Sequence, residues 1–468
     1  MTSLKKTFSP GLVLGGVSSS SGKTICTCMV LAALQQRGIP ISAFKVGPDY
    51  IDASYHATVL GEPSHNLDTW LMGEDQVHEE FSHHTRAAFP IVEGVMGLFD
   101  GAEVDSNSGS TYEISEAFNL PVILVISCEK FGRSLGALIE GFKKESYDRV
   151  QGVILNRVGS EGHGVYLREA LEDKTEVLGV IPFTEALSFN ERHLGLPASQ
   201  ELTLPGQEKF AALAEQMLDM DQMIQIGQLS PTKNKNAVSR DDAQEEKVSI
   251  PKRCRVAIAR DEAFHFYYPS NLQYLQKQGV ELVEFSPLHS AGLPDDIEGL
   301  ILGGGFPEEY ARDLSENDSM RNSIKNALEG GLPCYAECGG LMYLAESVCL
   351  PDALPVPMVG MIPGAIQMTP RLQHFGYSIC QREGEQHQQK RGIRGHEFHY
   401  SRWEDEEEHA NLWMVTKHRT GKSRIEGYHV KNLWASYVHV YWASCPECIE
   451  PFLRTVLHFK ATQSMGKK

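Results

Sequence analysis

Two stretches of this sequence carry residue types and spacings suited to chemistry. The first is a glycine- and serine-rich turn, Gly16-Val17-Ser18-Ser19-Ser20-Ser21-Gly22-Lys23-Thr24, set between an apolar run and a helix-compatible segment ending near Gln36. In such a turn successive backbone N–H groups point at phosphate oxygens, and the helix N-terminus that follows adds positive potential. Lys23 is then expected to reach the terminal phosphates and the Thr24 hydroxyl to ligate Mg²⁺, so Gly16, Ser21, Gly22, Lys23 and Thr24 form an expected nucleoside triphosphate site. A Gly-Lys-Thr turn without a ligand is the plain alternative, disfavoured by the strand before it and the helix after it. A second strand-like run, Phe89 to Val95, ends with Glu93, a carboxylate at the edge where ligands of open α/β sheets collect and a candidate Mg²⁺ contact. Asn156, just past another apolar run, is suited to holding an adenine edge or, equally, to stabilising a turn.

The second stretch is Pro333-Cys334-Tyr335-Ala336-Glu337-Cys338-Gly339-Gly340-Leu341, a strand, a sharp turn and a helix start. A thiol on such an elbow is exposed at a sheet edge, its thiolate is favoured by the helix N-terminus, and the Gly339 N–H faces a developing oxyanion. Cys338 has that position, whereas Cys334 lies inside the strand and is expected to be a small buried hydrophobe. The turn Gly303-Gly304-Gly305 would bring a second N–H, from Gly304, because only glycine lets backbone approach so closely. The thiol needs a base, and His439 in Ser436-Tyr437-Val438-His439-Val440-Tyr441 lies on an apolar alternating segment late in the chain. A core or surface histidine is the commoner meaning of one among 18, but nucleophile and base meet in space and not in sequence.

The elements that must position these residues repeat regularly. Apolar runs at Gly11–Gly16, Ile41–Val46, Phe89–Val95, Pro121–Ser127, Gln151–Asn156 and Val177–Ile181 alternate with amphipathic segments, the pattern of a parallel sheet covered on both faces. A polar, charged stretch at 228–251 then reads as a linker. A second strand–helix series begins at Arg255 and continues through Glu281–Phe285, Gly299–Leu302 and Pro333–Ala336. The expected fold class is therefore α/β, two domains at 1–227 and 252–468, each a mainly parallel sheet flanked by helices. The acidic run Glu404 to Glu408 is expected to be a solvated loop.

At 468 residues the chain has room for two such cores, and its 41 % hydrophobic and 22 % charged residues are ordinary for a globular protein. No run approaches the roughly 20 apolar residues of a membrane span, and the N-terminus leaves no room for a signal peptide, so a cytoplasmic location is expected. Ten cysteines without regular spacing point to free thiols, and the Cys445–Cys448 pair to chance. A net charge of −18 excludes a nucleic-acid partner as the default reading.

Taken together, the glycine loop, KVGPDYIDASYH, VEGVMGLFDG, ERHLGL, ILGGGFPEE, YAECGGLMYL, GHEFHYS and ASYVHVYW occur in an order that resembles the cobyrinic acid a,c-diamide synthase family over nearly the whole chain. The loop itself, with five residues between Gly16 and Gly22, is similar to dethiobiotin-synthetase-like enzymes. The resemblance implies an N-terminal domain that uses MgATP to activate tetrapyrrole side-chain carboxylates and a C-terminal class I-type glutamine amidotransferase domain that releases ammonia from L-glutamine. It implies Cys338 as nucleophile and His439 as its base, with Gly304 and Gly339 at the oxyanion. It also implies ammonia passage between domains. Asp49 is a further candidate metal contact, and because an anionic corrinoid must approach a chain of net charge −18, Arg192, His193, Arg394 and His396 are candidate contacts for it, beside Asp49, Tyr50 and His56. For the arginines and histidines of that set, ordinary surface charge is the alternative. Class I amidotransferases carry a His-x-Glu pair, but here Tyr441 follows His439, so another group must orient the imidazole. Hydrogenobyrinate and nickel sirohydrochlorin are competing substrates within this architecture. A ParA/MinD-like nucleotide switch is the alternative of a different class, and Cys338 and His439 speak against it.

Overall fold

The computed structural model describes residues 10–184, 206–229, 254–382 and 392–466. The chain divides into two compact units, residues 1–244 and 245–468. The expected linker at 228–251 falls almost wholly outside the described residues, as do Arg192 and His193.

The first unit is built on seven strands: β1 (Leu12–Gly16), β2 (Ile41–Val46), β3 (His65–Leu67), β4 (Phe89–Glu93), β5 (Val122–Ser127), β6 (Val150–Val158) and β7 (Val177–Pro182). They lie in the order β3-β2-β4-β1-β5-β6-β7, and every pairing is parallel. Buried on both faces, these strands read as continuous apolar runs, which is why they were visible in the sequence. The exception is β3, only three residues long and carrying His65 and Asn66, too short and too polar to register as a strand. Helix α1 (Lys23–Gln36) is buried over nearly its whole length, with Ile25 to Leu34 in one cluster with Phe210, Ala211 and Ala214 of the helix Gln207–Met217. A helix apolar all round must be covered on all sides. That burial fixes the N-terminus of α1, and with it the turn after β1, at the carboxyl edge of the sheet.

The second unit has a six-stranded sheet in the order Val280–Phe285, Cys254–Ala259, Gly299–Leu302, Cys334–Glu337, Leu433–Ser436 and Tyr428–Val430, parallel except for the last pair. The final third, which carries no clean alternation in sequence, folds into a five-stranded antiparallel sheet that includes His374–Gln381, Ile393–His399 and His439–Val440, and a smaller four-stranded sheet. The segment expected to be one alternating strand is in fact split. The chain leaves the parallel sheet after Ser436, crosses through buried Tyr437 and Val438, and joins the antiparallel sheet at His439. The acidic run is likewise not all loop: Glu406–His409 is a turn of helix, and Glu406 lies 3.7 Å from Arg424. All ten cysteines are free thiols. Among the described residues no helix is long and apolar enough to cross a membrane.

Candidate active sites

At the carboxyl edge of the first sheet, the turn after β1 bends through Ser20 (φ 57°) and Gly22 (φ 90°) into α1. Gly22 is required twice over, because its φ is left-handed and a Cβ there would sit 2.0 Å from the Asn156 amide nitrogen. Asn156 donates from Nδ2 to the Ser21 carbonyl (3.0 Å), so of its two expected roles the structure displays the loop-bracing one. Ser21 is buried, and its Oγ has no hydrogen-bond partner.

Lys23 folds back over the turn, donating to the carbonyls of Met96 (2.8 Å) and Ser18 (3.1 Å). Burial, and secondarily the neighbouring Lys45, lowers its pKa to about 8. An ammonium held at this cost by carbonyls alone is poised to exchange them for anionic oxygen, which would restore its full charge. Thr24 donates from Oγ1 to Glu93 Oε1 (2.9 Å), joining the turn after β1 to the end of β4, its neighbour in the sheet.

Glu93 is the hub of a buried cluster. Its Oε1 also accepts from Lys45 Nζ (3.0 Å), and Oε2 lies 2.6 Å from His56 Nε2. Burial opposes its charge, but Lys45 and His56 outweigh that and hold the carboxyl well below the usual range. Lys45 meets Asp52 as well (2.7 Å) and stands 4.0 Å from Asp49. Burial and then Asp52 push Asp49 up to about 7. Lys45 thus faces three carboxyl groups, oxygen donors of the kind a hard divalent cation prefers.

The sequence-expected contacts Thr24, Asp49 and Glu93 therefore gather in one place. Lys45 and Asp52, on which the sequence alone puts no role, belong there too. His56 is fully buried between Glu93 and Ser64, which turns it from an expected substrate contact into a support for Glu93. Tyr50 is half-buried just before the helix Ile51–Leu60. Asn66 of β3 donates to the carbonyls of Gly47 and Asp49 (2.9 Å each) and so shapes the Asp49 turn. Nothing in the sequence marked Asn66, because its partners lie 17 and 19 residues away.

In the second unit Cys338 sits between the strand Cys334–Glu337 and the helix Gly339–Leu344 with φ 47° and ψ −100°, a strained conformation for a residue with a side chain. Its N–H donates to the Ser436 carbonyl (2.7 Å), which fixes the elbow to the neighbouring strand. Cys334, by contrast, is fully buried in the strand, where burial pushes its thiol up.

His439 is 2 % exposed and within hydrogen-bonding reach of Cys338. Burial alone would lower its pKa, but Cys338 and then Glu337 raise it to about 10. At neutral pH His439 is therefore an imidazolium facing the Cys338 sulfur, an arrangement that suits a cysteine nucleophile. Glu337 Oε2 lies 3.4 Å from His439 Nδ1. That carboxylate is itself held, its Oε1 accepting from the Tyr335 hydroxyl (2.9 Å) and the Val440 N–H (3.4 Å).

The glycine turn of residues 303–305 is pressed against this pair. A Cβ on Gly304 would come within 2.6 Å of His439 Cε1, and one on Gly339 within 3.1 Å of the Gly305 backbone nitrogen. Tyr267 braces the turn, its hydroxyl accepting from Gly303 N–H (2.8 Å) and donating to the Ala259 carbonyl (2.6 Å). His396 pairs in register with His439 and stacks on it at 4.9 Å between ring centroids, its Nε2 2.8 Å from the Tyr268 hydroxyl. At 5 % exposure it lies in the wall of the thiol site. Arg394, two residues earlier on the same strand, is half-buried.

Comparison with known proteins agrees with this division. A family model described as the CobQ/CobB/MinD/ParA nucleotide binding domain matches residues 12–195, and one described as the CobB/CobQ-like glutamine amidotransferase domain matches residues 255–446. Proteins named cobyrinate a,c-diamide synthase are similar along nearly their whole length. That of Syntrophotalea carbinolica is 39 % identical over 95 % of this chain and 98 % of its own, and that of Priestia megaterium 39 % over 94 % and 95 %. The Listeria monocytogenes protein is 40 % identical over 92 % of this chain and 96 % of its own. Among solved structures, a glutamine amidotransferase matches 43 % of this chain and 98 % of its own at 15 % identity and a TM-score of 0.30. With both sites present in one chain and relatives that run its full length, the chain belongs to the cobyrinate a,c-diamide synthase family.

Proposed function

We propose that the chain amidates the a and c side-chain carboxylates of cobyrinate, spending ATP and taking nitrogen from glutamine or free ammonia. The observation that carries this reading is the presence, in one chain, of a Lys23–Thr24–Glu93 cluster under a phosphate loop and a Cys338–His439 pair on an elbow. A nucleotide switch needs the first and has no use for the second.

In the first unit the loop amides and Lys23 bind the phosphates, and a substrate carboxylate oxygen attacks the γ-phosphorus, giving an acyl phosphate and ADP. Thr24, Glu93 and Asp49 would hold Mg²⁺, which when bound offsets phosphate charge. Lys45, tied to Glu93 and the Gly94 carbonyl (2.9 Å), keeps this carboxylate cluster in place. In the second unit the Cys338 thiolate attacks the glutamine carboxamide, and the N–H groups of Gly339 and the 303–305 turn face the oxyanion. The His439 imidazolium gives its proton to the leaving nitrogen. Ammonia departs, and water cleaves the thioester to glutamate. Ammonia then attacks the acyl phosphate and phosphate leaves. We place this chemistry in the cytoplasm.

Glu337 is the group we assign to orient His439, in the place of the acid that class I enzymes carry two residues after the histidine. With the carboxylate on Nδ1, Nε2 is left for the thiol. Glu337→Gln is expected to lower glutaminase kcat on the order of 10²-fold, the range for disturbing a positioned acid–base pair. Ammonia-dependent amidation should be unchanged. The alkaline limb of the glutaminase pH profile should move to lower pH, since His439 loses a carboxylate that raises its pKa. A full-rate variant with an unmoved profile would give the orienting role to another group.

For the corrinoid carboxylates we retain Tyr50, Asp49 and Arg394, with Arg192 and His193 beyond the described residues. Arg394→Ala is expected to reduce tetrapyrrole kcat/KM by more than about tenfold, the loss of one charge-assisted contact, with glutaminase turnover little changed. Equal kinetics for tetrapyrrole would place the substrate site elsewhere. The substrate itself is tested by assaying cobyrinate, hydrogenobyrinate and nickel sirohydrochlorin side by side. Preference for either of the last two would overturn the reading in favour of cobyrinate while leaving the ligase chemistry intact.

A further inference from the structure

At the edge of the first sheet, where neither ATP nor glutamine chemistry has a use for them, three potential metal ligands converge. His65 opens the edge strand β3, and Glu80 and His84 lie four residues apart on the helix Glu74–Thr85 that follows it, hence on one face. His65 Nδ1 is 2.7 Å and His84 Nε2 3.4 Å from the same oxygen, Glu80 Oε1, and the three ligand atoms all lie within 4.8 Å of one another. β2 separates this cluster from β4, which carries Glu93.

An ordinary histidine–glutamate cluster would be closed by hydrogen bonds. Here His65 Nδ1 and His84 Nε2 are both buried and neither meets a hydrogen-bond partner in suitable geometry, although both face a carboxylate oxygen. His65 and Glu80 are 5 % and 6 % exposed, so water does not readily make up the deficit. A cation between the three atoms would satisfy both imidazole nitrogens, with the Glu80 oxygen as its third ligand. We infer that His65, Glu80 and His84 form a binding site for a divalent transition-metal ion, of which Zn²⁺ is the representative.

The ligand chemistry selects the class. Two neutral imidazoles and one carboxylate suit borderline ions such as Zn²⁺ and are a poor set for Mg²⁺ or Ca²⁺, which prefer oxygen throughout. His84, the one member of the three that is not fully buried, gives an entry path. The rings of His65 and His84 are stacked with centroids 3.6 Å apart, so for both nitrogens to ligate one ion the His84 ring would have to turn. An ion here would tie the helix Glu74–Thr85 to β3. The next residue along β3 is Asn66, which holds the Gly47 and Asp49 carbonyls, so the ion would brace the strand that shapes the Asp49 turn.

The test uses the full chain, stripped with chelator and titrated with Zn²⁺. Metal per chain is measured after dialysis, and Tm is followed alongside. Because ten thiols and the Glu93 cluster are other places for Zn²⁺, the decisive comparison is with His84→Ala and Glu80→Gln, each in a Cys338→Ala background. The expected result is one equivalent fewer of tightly held Zn²⁺ in both variants and loss of the Zn²⁺-dependent rise in Tm. Co²⁺ as a second probe should give a d–d absorption without a thiolate charge-transfer band, absent in both variants. His84 is partly exposed, so its replacement is not expected to prevent folding, and near-native circular dichroism of the chelated variant confirms it. Equal stoichiometry and equal Tm rise in parent and variants would overturn the inference, whatever the amidation assays show.

Discussion

Replacing Cys338 with alanine is expected to remove glutamine-driven amidation altogether while ammonia-driven amidation continues at close to the parental rate. The two nitrogen sources part at this residue because the thiolate forms the bond to the glutamine carbonyl carbon, and no neighbouring group offers a second nucleophile of that reactivity. Cys334 is in the same strand, but it is fully buried and its thiol is held protonated. The loss should therefore be at least on the order of 10⁴-fold in glutaminase kcat, with the residual rate supplied by binding and oxyanion stabilisation alone. Serine at the same position should not rescue it. Cys338 is the foremost group raising the pKa of His439, and a serine hydroxyl ionises far less readily than a thiol and is the weaker nucleophile. The measurement is glutamate release and amide formation, assayed separately with glutamine and with ammonium salts. Loss of both activities in a folded variant would overturn the division of labour between the two units.

What was legible in the sequence follows from how locally each feature is determined. The phosphate turn and the elbow at Cys338 are continuous segments whose backbone demands are met by their own glycines, so they could be read directly. The parallel strands were legible because burial on both faces makes them apolar without interruption. Features that depend on partners far along the chain were not. Glu337 adjoins Cys338 in sequence, yet its bearing on His439 arises only because the strand Cys334–Glu337 pairs with Leu433–Ser436 before the chain changes sheets. The same change of sheet brings His396 against His439, so a residue that reads as a basic contact for an anion lies instead in the wall of the thiol site. His56 shows the converse: a polar residue within a ligand-rich motif, spent on holding Glu93. In each case the residue type is visible in the sequence, and its neighbours are set by the tertiary pairing.

Lys23→Ala should impair amidation with either nitrogen source and leave glutaminase turnover of the second unit intact, the reverse of the Cys338 result. Lys23 is 7 % exposed, and among the described residues its ammonium donates to the carbonyls of Ser18 and Met96. Burial and then Lys45 lower its pKa to about 8, Glu93, Asp52 and Asp49 opposing them in part, and γ-phosphate oxygens in direct contact would offset far more. In phosphoryl transfer the protein contributes positioning and charge, not covalent chemistry, so removing one preorganised cation strikes the main source of catalysis. The expected loss is on the order of 10²-fold or more in kcat with ammonia as nitrogen source. Lys45 cannot stand in, because its ammonium is already committed to Asp52, Glu93 and the Gly94 carbonyl. Arginine at position 23 should restore little, since its larger head must fit where a Cβ on Gly16 would already lie 2.8 Å from the lysine nitrogen. ATP turnover and amide formation measured with ammonium salts decide the matter. Near-parental rates in the alanine variant would remove ATP from this turn and leave the Thr24–Glu93 pair without its proposed role.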